Sequence, residues 1–220
     1  MDIRKNTVPG ENQMARTTDL SFLGNENGKL RILVVGNSIT RHAPLAKIGW
    51  NNDWGMAASA PENDYVHRLY AKLEEAGFDV LMRIRQVSIW EISFAKDENV
   101  LSRYDEENEF DADIVIFRMG ENVPGADKPL FKDGLRKLAK HICPSGKGIF
   151  VSCFWRNELI DETLKQIAEE RGDLFLDGCL SDDVGNTAIG KFEHEGVAMH
   201  PGDRGMEAIA ELMFGAVKNL

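Results

Sequence analysis

The stretch Leu30-Arg31-Ile32-Leu33-Val34-Val35, followed at once by Gly36-Asn37-Ser38-Ile39-Thr40, decides how the chain is to be read. Its first six residues form a near-continuous apolar run, the pattern of a strand buried on both faces. Comparable runs recur at residues 78–87, 114–119, 149–154 and 174–176. Between them lie segments with helical spacing. Ser59 with Glu62 predicts a capping box and Pro61 a first turn, ahead of the stripe Val66, Leu69, Tyr70 and Leu73 that Gly77 ends. Two further helices carry Leu130, Leu135, Leu138 and Ile142 before Pro144, then Ile160, Leu164, Ile167 and Ala168 before Gly172. The last runs from Asp203, the expected N-cap, through Met206, Ile209, Ala210, Met213 and Val217. Strands alternating with helices, over connections too long for hairpins, imply a parallel sheet with helices on both faces. With no internal repeat or linker, residues 30–220 are expected to form one doubly wound α/β domain behind a polar leader, residues 1–29.

Composition narrows the function classes. A chain of 220 residues is long enough to bury a core without disulfide or metal staples. Its formal net charge of −10 opposes binding to a phosphate backbone, so nucleic acid is not an expected partner. No apolar run approaches the roughly 20 residues that a bilayer requires, so no membrane span is expected. The leader lacks the apolar core of a signal peptide, which favours a cytoplasmic location. Cys143, Cys153 and Cys179 have no metal or redox spacing and read as buried free thiols. The turn after the first apolar run has neither the glycines of a dinucleotide fingerprint nor a P-loop lysine, so no cofactor is expected. Glu193, His194, Glu195 and His200 lack a recognisable short ligand motif, so no metal is expected either.

Open parallel sheets bind ligands at the carboxyl ends of their strands, which directs attention to three loops. These are Gly36 to Thr40, Gly120-Glu121-Asn122, and His200-Pro201-Gly202-Asp203. Ser38 falls where the first strand is expected to turn into a helix, so it is either an N-cap or a hydroxyl presented at the edge. A serine hydroxyl needs a base within about 3 Å to act as a nucleophile, and His200 is placed to reach back across the edge. Asn122 could offer amide hydrogens to a developing oxyanion, or could simply form a turn. His42, four residues after Ser38, is a rival base only if both lie on one helix, where exposure is the better reading.

Taken together, VVGNSIT, the GEN at Gly120 to Asn122, and HPGDRGM at His200 to Met206 resemble blocks one, three and five of the SGNH hydrolases, also called GDSL-type esterases. The resemblance runs in block order from about Leu30 to the C-terminus. It implies a three-layer α/β/α sandwich with a flavodoxin-like parallel sheet. It also implies Ser38 as nucleophile and amide donor, Asn122 as oxyanion donor and His200 as general base. Two departures from the family pattern bear on the chemistry. The aspartate usual three residues before the base is replaced by Val197, so His200 is oriented either by a backbone carbonyl, as a Ser-His dyad, or by an acid such as Glu193 or Glu195. The block-two glycine has no counterpart in Gln86-Val87-Ser88-Ile89-Trp90-Glu91, which places a third oxyanion donor near Trp90. Asn37 stands in for the aspartate of the GDSL signature.

Substrate is addressed by a few further residues. Trp50 and Trp54, among Asn51, Asn52 and Asp53, either wall a pocket suited to stacking on a sugar or pin a long loop as a satellite cluster. Trp90, Glu91 and Gly120 are expected at the cleft, Glu91 contacting substrate hydroxyls, pairing with Arg118, or standing as an exposed loop charge. The expected activity is therefore an esterase removing a small acyl group from a carbohydrate or similar neutral substrate. A non-catalytic carbohydrate-binding domain on the same fold is the alternative. Oligomeric state is not legible.

Overall fold

The computed structural model describes residues 20–220. Six strands form its sheet: β1 (Leu20–Gly24), β2 (Leu30–Gly36), β3 (Val80–Gln86), β4 (Ile114–Arg118), β5 (Lys147–Val151) and β6 (Leu174–Leu176), in the spatial order β1-β3-β2-β4-β5-β6. The strands from β2 to β6 run parallel, in the flavodoxin-like order, and β1 adds an antiparallel edge against β3. β1 corrects the expected boundary at Leu30, because the end of the supposed leader is part of the sheet. The rest of the leader, residues 1–19, lies outside the described residues. The predicted runs at 78–87, 114–119 and 149–154 overshoot the strands at one or both ends.

The helices are α1 (Tyr65–Glu75), α2 (Ser88–Ser93), α3 (Asp105–Glu109), α4 (Phe131–Ile142), α5 (Glu158–Arg171), α6 (Glu195–Ala198) and α7 (Asp203–Lys218). Period-two alternation along β2 sends Leu33 and Val35 to one face, with Leu135, Leu138 of α4 and Ile160, Leu164 of α5. Ile32 and Val34 go to the other face, with Leu69 and Leu73 of α1 and Met206, Ile209 and Met213 of α7. Two buried layers on one sheet make the three-layer sandwich.

Helix starts differ from expectation where a better acceptor lies nearby. The Asp64 carboxylate caps α1 by accepting from the His67 amide at 2.9 Å, so Ser59 and Glu62 form no capping box and Pro61 opens a short 3-10 turn instead. The Ser59 amide donates to the Asp203 carboxylate at 2.8 Å, and Gly202, not Asp203, takes the N-cap position of α7. Leu130 precedes α4 and is exposed. Of the three free thiols, Cys143 and Cys153 are buried, and burial pushes Cys143 up to about 11, but Cys179 is only half-buried. Among the described residues no helix is long and apolar enough to cross a membrane.

Candidate active site

The chain crosses the sheet in opposite directions from β2, towards β3 on one side and β4 on the other, which opens a crevice at their carboxyl ends. Residues 37–40 form one hydrogen-bonded turn there, Thr40 and Arg41 both donating from their amides to the Asn37 carbonyl at 3.0 Å. No helix follows, a correction to the strand-to-helix expectation. The chain instead runs into a loop where the His42 amide bonds the Trp54 carbonyl. The turn is anchored from below, with Ile39 in the core and the Thr40 hydroxyl 2.6 Å from the Tyr65 hydroxyl, so half-buried Ser38 is left at the edge. Gly36 is required by close approach, since a Cβ there would collide with Thr40 and with the Arg118 carbonyl.

Ser38 Oγ lies 2.9 Å from His200 Nε2. The other ring nitrogen, Nδ1, is 2.7 Å from the Gly196 carbonyl in α6. A carbonyl only accepts, so Nδ1 carries the proton and the Nε2 lone pair faces the serine hydroxyl. Trp155, half-buried after β5, stands edge-on to the imidazole with centroids 5.2 Å apart. Burial, chiefly, pushes His200 down to about 4, so the ring is neutral at neutral pH. Glu193 and Glu195 are both exposed, and the position of Nδ1 is taken by Gly196 rather than by either carboxylate. Val197, at the place of the missing aspartate, is fully buried against Trp50, Met56, Ala57 and Ala188. His42 turns its Nδ1 to the Ala43 carbonyl at 2.6 Å, and burial lowers its pKa.

On the opposite flank, a charged network that sequence reasoning missed holds Asn122. The Glu91 carboxylate accepts from Asn122 Nδ2 at 2.6 Å, from Asn37 Nδ2 at 3.2 Å and from the Gly120 amide. Arg118, itself buried, pairs with Glu121 at 2.5 Å and donates to Asn37 Oδ1 at 3.3 Å. Glu121 also accepts from Asn37 Nδ2 at 2.5 Å and from the Phe154 amide at 3.0 Å. Burial alone would raise its pKa, but Arg118 and these donors hold it below the usual carboxylate range. Glu91 is pushed up to about 7 by burial and then by the Glu121 charge. At Gly120 φ is +126°, and a Cβ would collide with Ile160, so only glycine fits.

Several residues expected at the cleft are committed to internal contacts. Trp50 is fully buried, its indole N–H donating to the His42 carbonyl at 3.0 Å, and half-buried Trp54 stands edge-on to it at 5.9 Å. Their loop is pinned by Arg41 and Asp53, paired at 2.9 and 2.7 Å, and Trp50 belongs to a satellite cluster against which Trp54 packs. Trp90 is fully buried and stacked on Phe94, centroids 4.9 Å apart. The residue of that stretch beside Asn122 is Ser88, whose Oγ lies 3.5 Å from Nδ2. Glu91 is fully buried, neither an exposed charge, nor a partner of Arg118, nor open to substrate hydroxyls. Gly120 spends its amide on Glu91. No group of three or more His, Cys, Asp or Glu placed to hold a metal occurs among the described residues.

The sheet order and the helix layers are those of the SGNH or GDSL-type α/β hydrolase fold. Particular solved structures share it. Axe2, an acetylxylan esterase from Geobacillus stearothermophilus, superposes with a TM-score of 0.56 at 17% identity over 86% of this chain and 94% of its own. A member of the lipolytic protein G-D-S-L family from Veillonella parvula superposes at 0.57 with 16% identity, over 87% of this chain and 100% of its own. Catalytic mutants of Axe2 replace a serine, a histidine, and the aspartate three positions before that histidine. No family model and no curated protein matches the chain.

Proposed function

We propose that this protein is a serine esterase that removes a small acyl group, acetate foremost, from a carbohydrate or similar neutral substrate. The observation that carries the reading is the Ser38 Oγ to His200 Nε2 distance of 2.9 Å, with Nδ1 fixed by the Gly196 carbonyl. Ser38 attacks the acyl carbon while His200 takes its proton. The oxyanion of the tetrahedral intermediate rests on the Ser38 amide and on the Asn122 hydrogen that Glu91 does not use. His200 then protonates the departing alkoxide, and water repeats the sequence on the acyl-enzyme. The carbonyl orients the base without adding charge, so the pair works as a dyad. Acetylated sugar is favoured by the Axe2 likeness and by the net charge of −10, which discourages strongly anionic esters.

Two measurements test the reading. Short p-nitrophenyl esters and acetylated xylo-oligosaccharides should be hydrolysed by the wild type and not by Ser38→Ala. A fluorophosphonate should label Ser38, and labelling of another residue would overturn the nucleophile assignment. Absence of turnover above the Ser38→Ala background on every acyl ester would leave a binding domain on a hydrolase fold.

A further inference from the structure

We infer that Glu91 is a positioning residue: ionised, it holds the Asn122 amide toward the Ser38 edge, and its protonation releases that amide and lowers the rate. The inference rests on the proposed role of Asn122 as an oxyanion donor. Each of the three hydrogen bonds at the Glu91 carboxylate among the described residues is donated to it. Oε2 receives Asn122 Nδ2 at 2.6 Å, and Oε1 receives Asn37 Nδ2 at 3.2 Å together with the Gly120 amide. Three donors fit an anion. A proton on either oxygen would turn an acceptor into a donor among donors, leaving one of the three bonds broken inside the protein. The bond from Asn122 is the one that yields, because Asn122 is exposed while Asn37 and Gly120 are buried.

The charge on Glu91 is also the weakly held one of its group. Glu121 has Arg118 at 2.5 Å and the Phe154 amide at 3.0 Å, whereas Glu91 has no cation in contact among the described residues. Both carboxylates draw on the same Asn37 amide nitrogen, so they stand close enough to repel. Among the described residues, the Glu121 carboxylate beyond β4 and the Cys153 thiol after β5, whose own pKa is raised chiefly by burial, face Glu91, and Arg118 reaches it only through Asn37 and Glu121. Together they leave one cation for two carboxylates. Glu91 therefore titrates near neutral pH, at about 7, in direct contact with the residue that would bind the oxyanion.

The decisive measurement follows the Asn122 side-chain amide by proton–nitrogen NMR across neutral pH, the signal being assigned by its loss in Asn122→Ala. A step in its shift with a midpoint near pH 7, absent in Glu91→Gln, is the expected result. A wild-type signal flat through neutral pH overturns the inference, whether or not Glu91→Gln folds. In parallel, wild-type kcat on p-nitrophenyl acetate should fall about tenfold or more below neutral pH, with KM within about twofold, since removal of a whole oxyanion donor costs about 10²- to 10³-fold. Glu91→Gln should have a reduced kcat with no step near neutrality. A purely structural carboxylate would change melting temperature without moving the pH profile. A step that persists in Glu91→Gln overturns the inference while leaving the esterase reading intact. Absence of Ser38-dependent turnover overturns that reading, and the NMR titration still decides whether Glu91 controls Asn122.

Discussion

The two flanks of Ser38 are built from opposite materials. On one, Asn122 is tied by Glu91 into a net of buried charge that includes Glu121, Arg118 and the amide of Asn37. On the other, His200 is oriented by a peptide carbonyl, faces an indole, and adjoins α6, which buries Val197 and Ala198. Fixed polar partners therefore stiffen the side where an oxyanion would form, while the base is left to its own basicity. Burial lowers the His200 pKa and makes imidazolium costly, so proton transfer in the proposed dyad would depend on geometry more than on charge stabilisation.

The comparison breaks most easily at the base. His200→Ala should lower kcat by about 10²- to 10⁴-fold, the range for loss of a positioned proton acceptor, with KM nearly unchanged. A loss below tenfold in steady-state assays would mean that another group takes the serine proton. Asn122→Ala comes next, with about 10²- to 10³-fold lost in kcat for one missing oxyanion donor. If its effect falls on KM alone, Asn122 binds the ground state and the stiff flank has another purpose.

What the sequence disclosed divides along the same line. The turn after Val35, the Ser38 and His200 positions and the helices α4 and α5 were legible because periodicity and block order are local signals. β1 was not, because it is a five-residue edge strand in which Phe22 is 52% exposed, so its sequence does not stand out from the leader. The Trp50 loop was ambiguous because its burial depends on Val197, far along the chain. Glu91 and Glu121 were opaque for the same reason: an acidic residue is read as exposed until the fold brings Asn37, Arg118 and Asn122 around it.

Removing the cation of the stiff flank should unfold it before it alters chemistry. Arg118→Leu leaves Glu121 buried beside Glu91 without a counter-charge, and breaking such a pair costs about 3–5 kcal/mol, measurable by urea denaturation at neutral pH. Activity per folded molecule should drop as well. A neutral outcome would show that Glu121 takes up a proton when its partner is removed.

A smaller effect separates the flanks by pH. As the proposed base, His200 would act when neutral, and its pKa is lowered, so activity limited by the base should persist as pH falls and be lost only through about 4. Glu91→Gln, which removes the group titrating at about 7, should expose that acid limb alone in kcat/KM. A remaining limb near the ordinary histidine value of about 6.5 would mean that the imidazole has a charged partner in solution.

The smallest expected effect is also the most pointed test of the soft flank. Glu195 begins α6, one residue before the carbonyl that orients His200, and its side chain is exposed. If the base is held by the peptide alone, Glu195→Gln changes kcat by less than about twofold and stability by no more than about 0.5 kcal/mol, as for surface substitutions generally. The acid limb near 4 should also stay in place, because no charge would have been lost from the imidazole. A loss approaching that of His200→Ala would instead make Glu195 the third member of a triad. A downward shift of the acid limb without a loss of rate would point to a field acting on the ring through solvent, which added salt would remove.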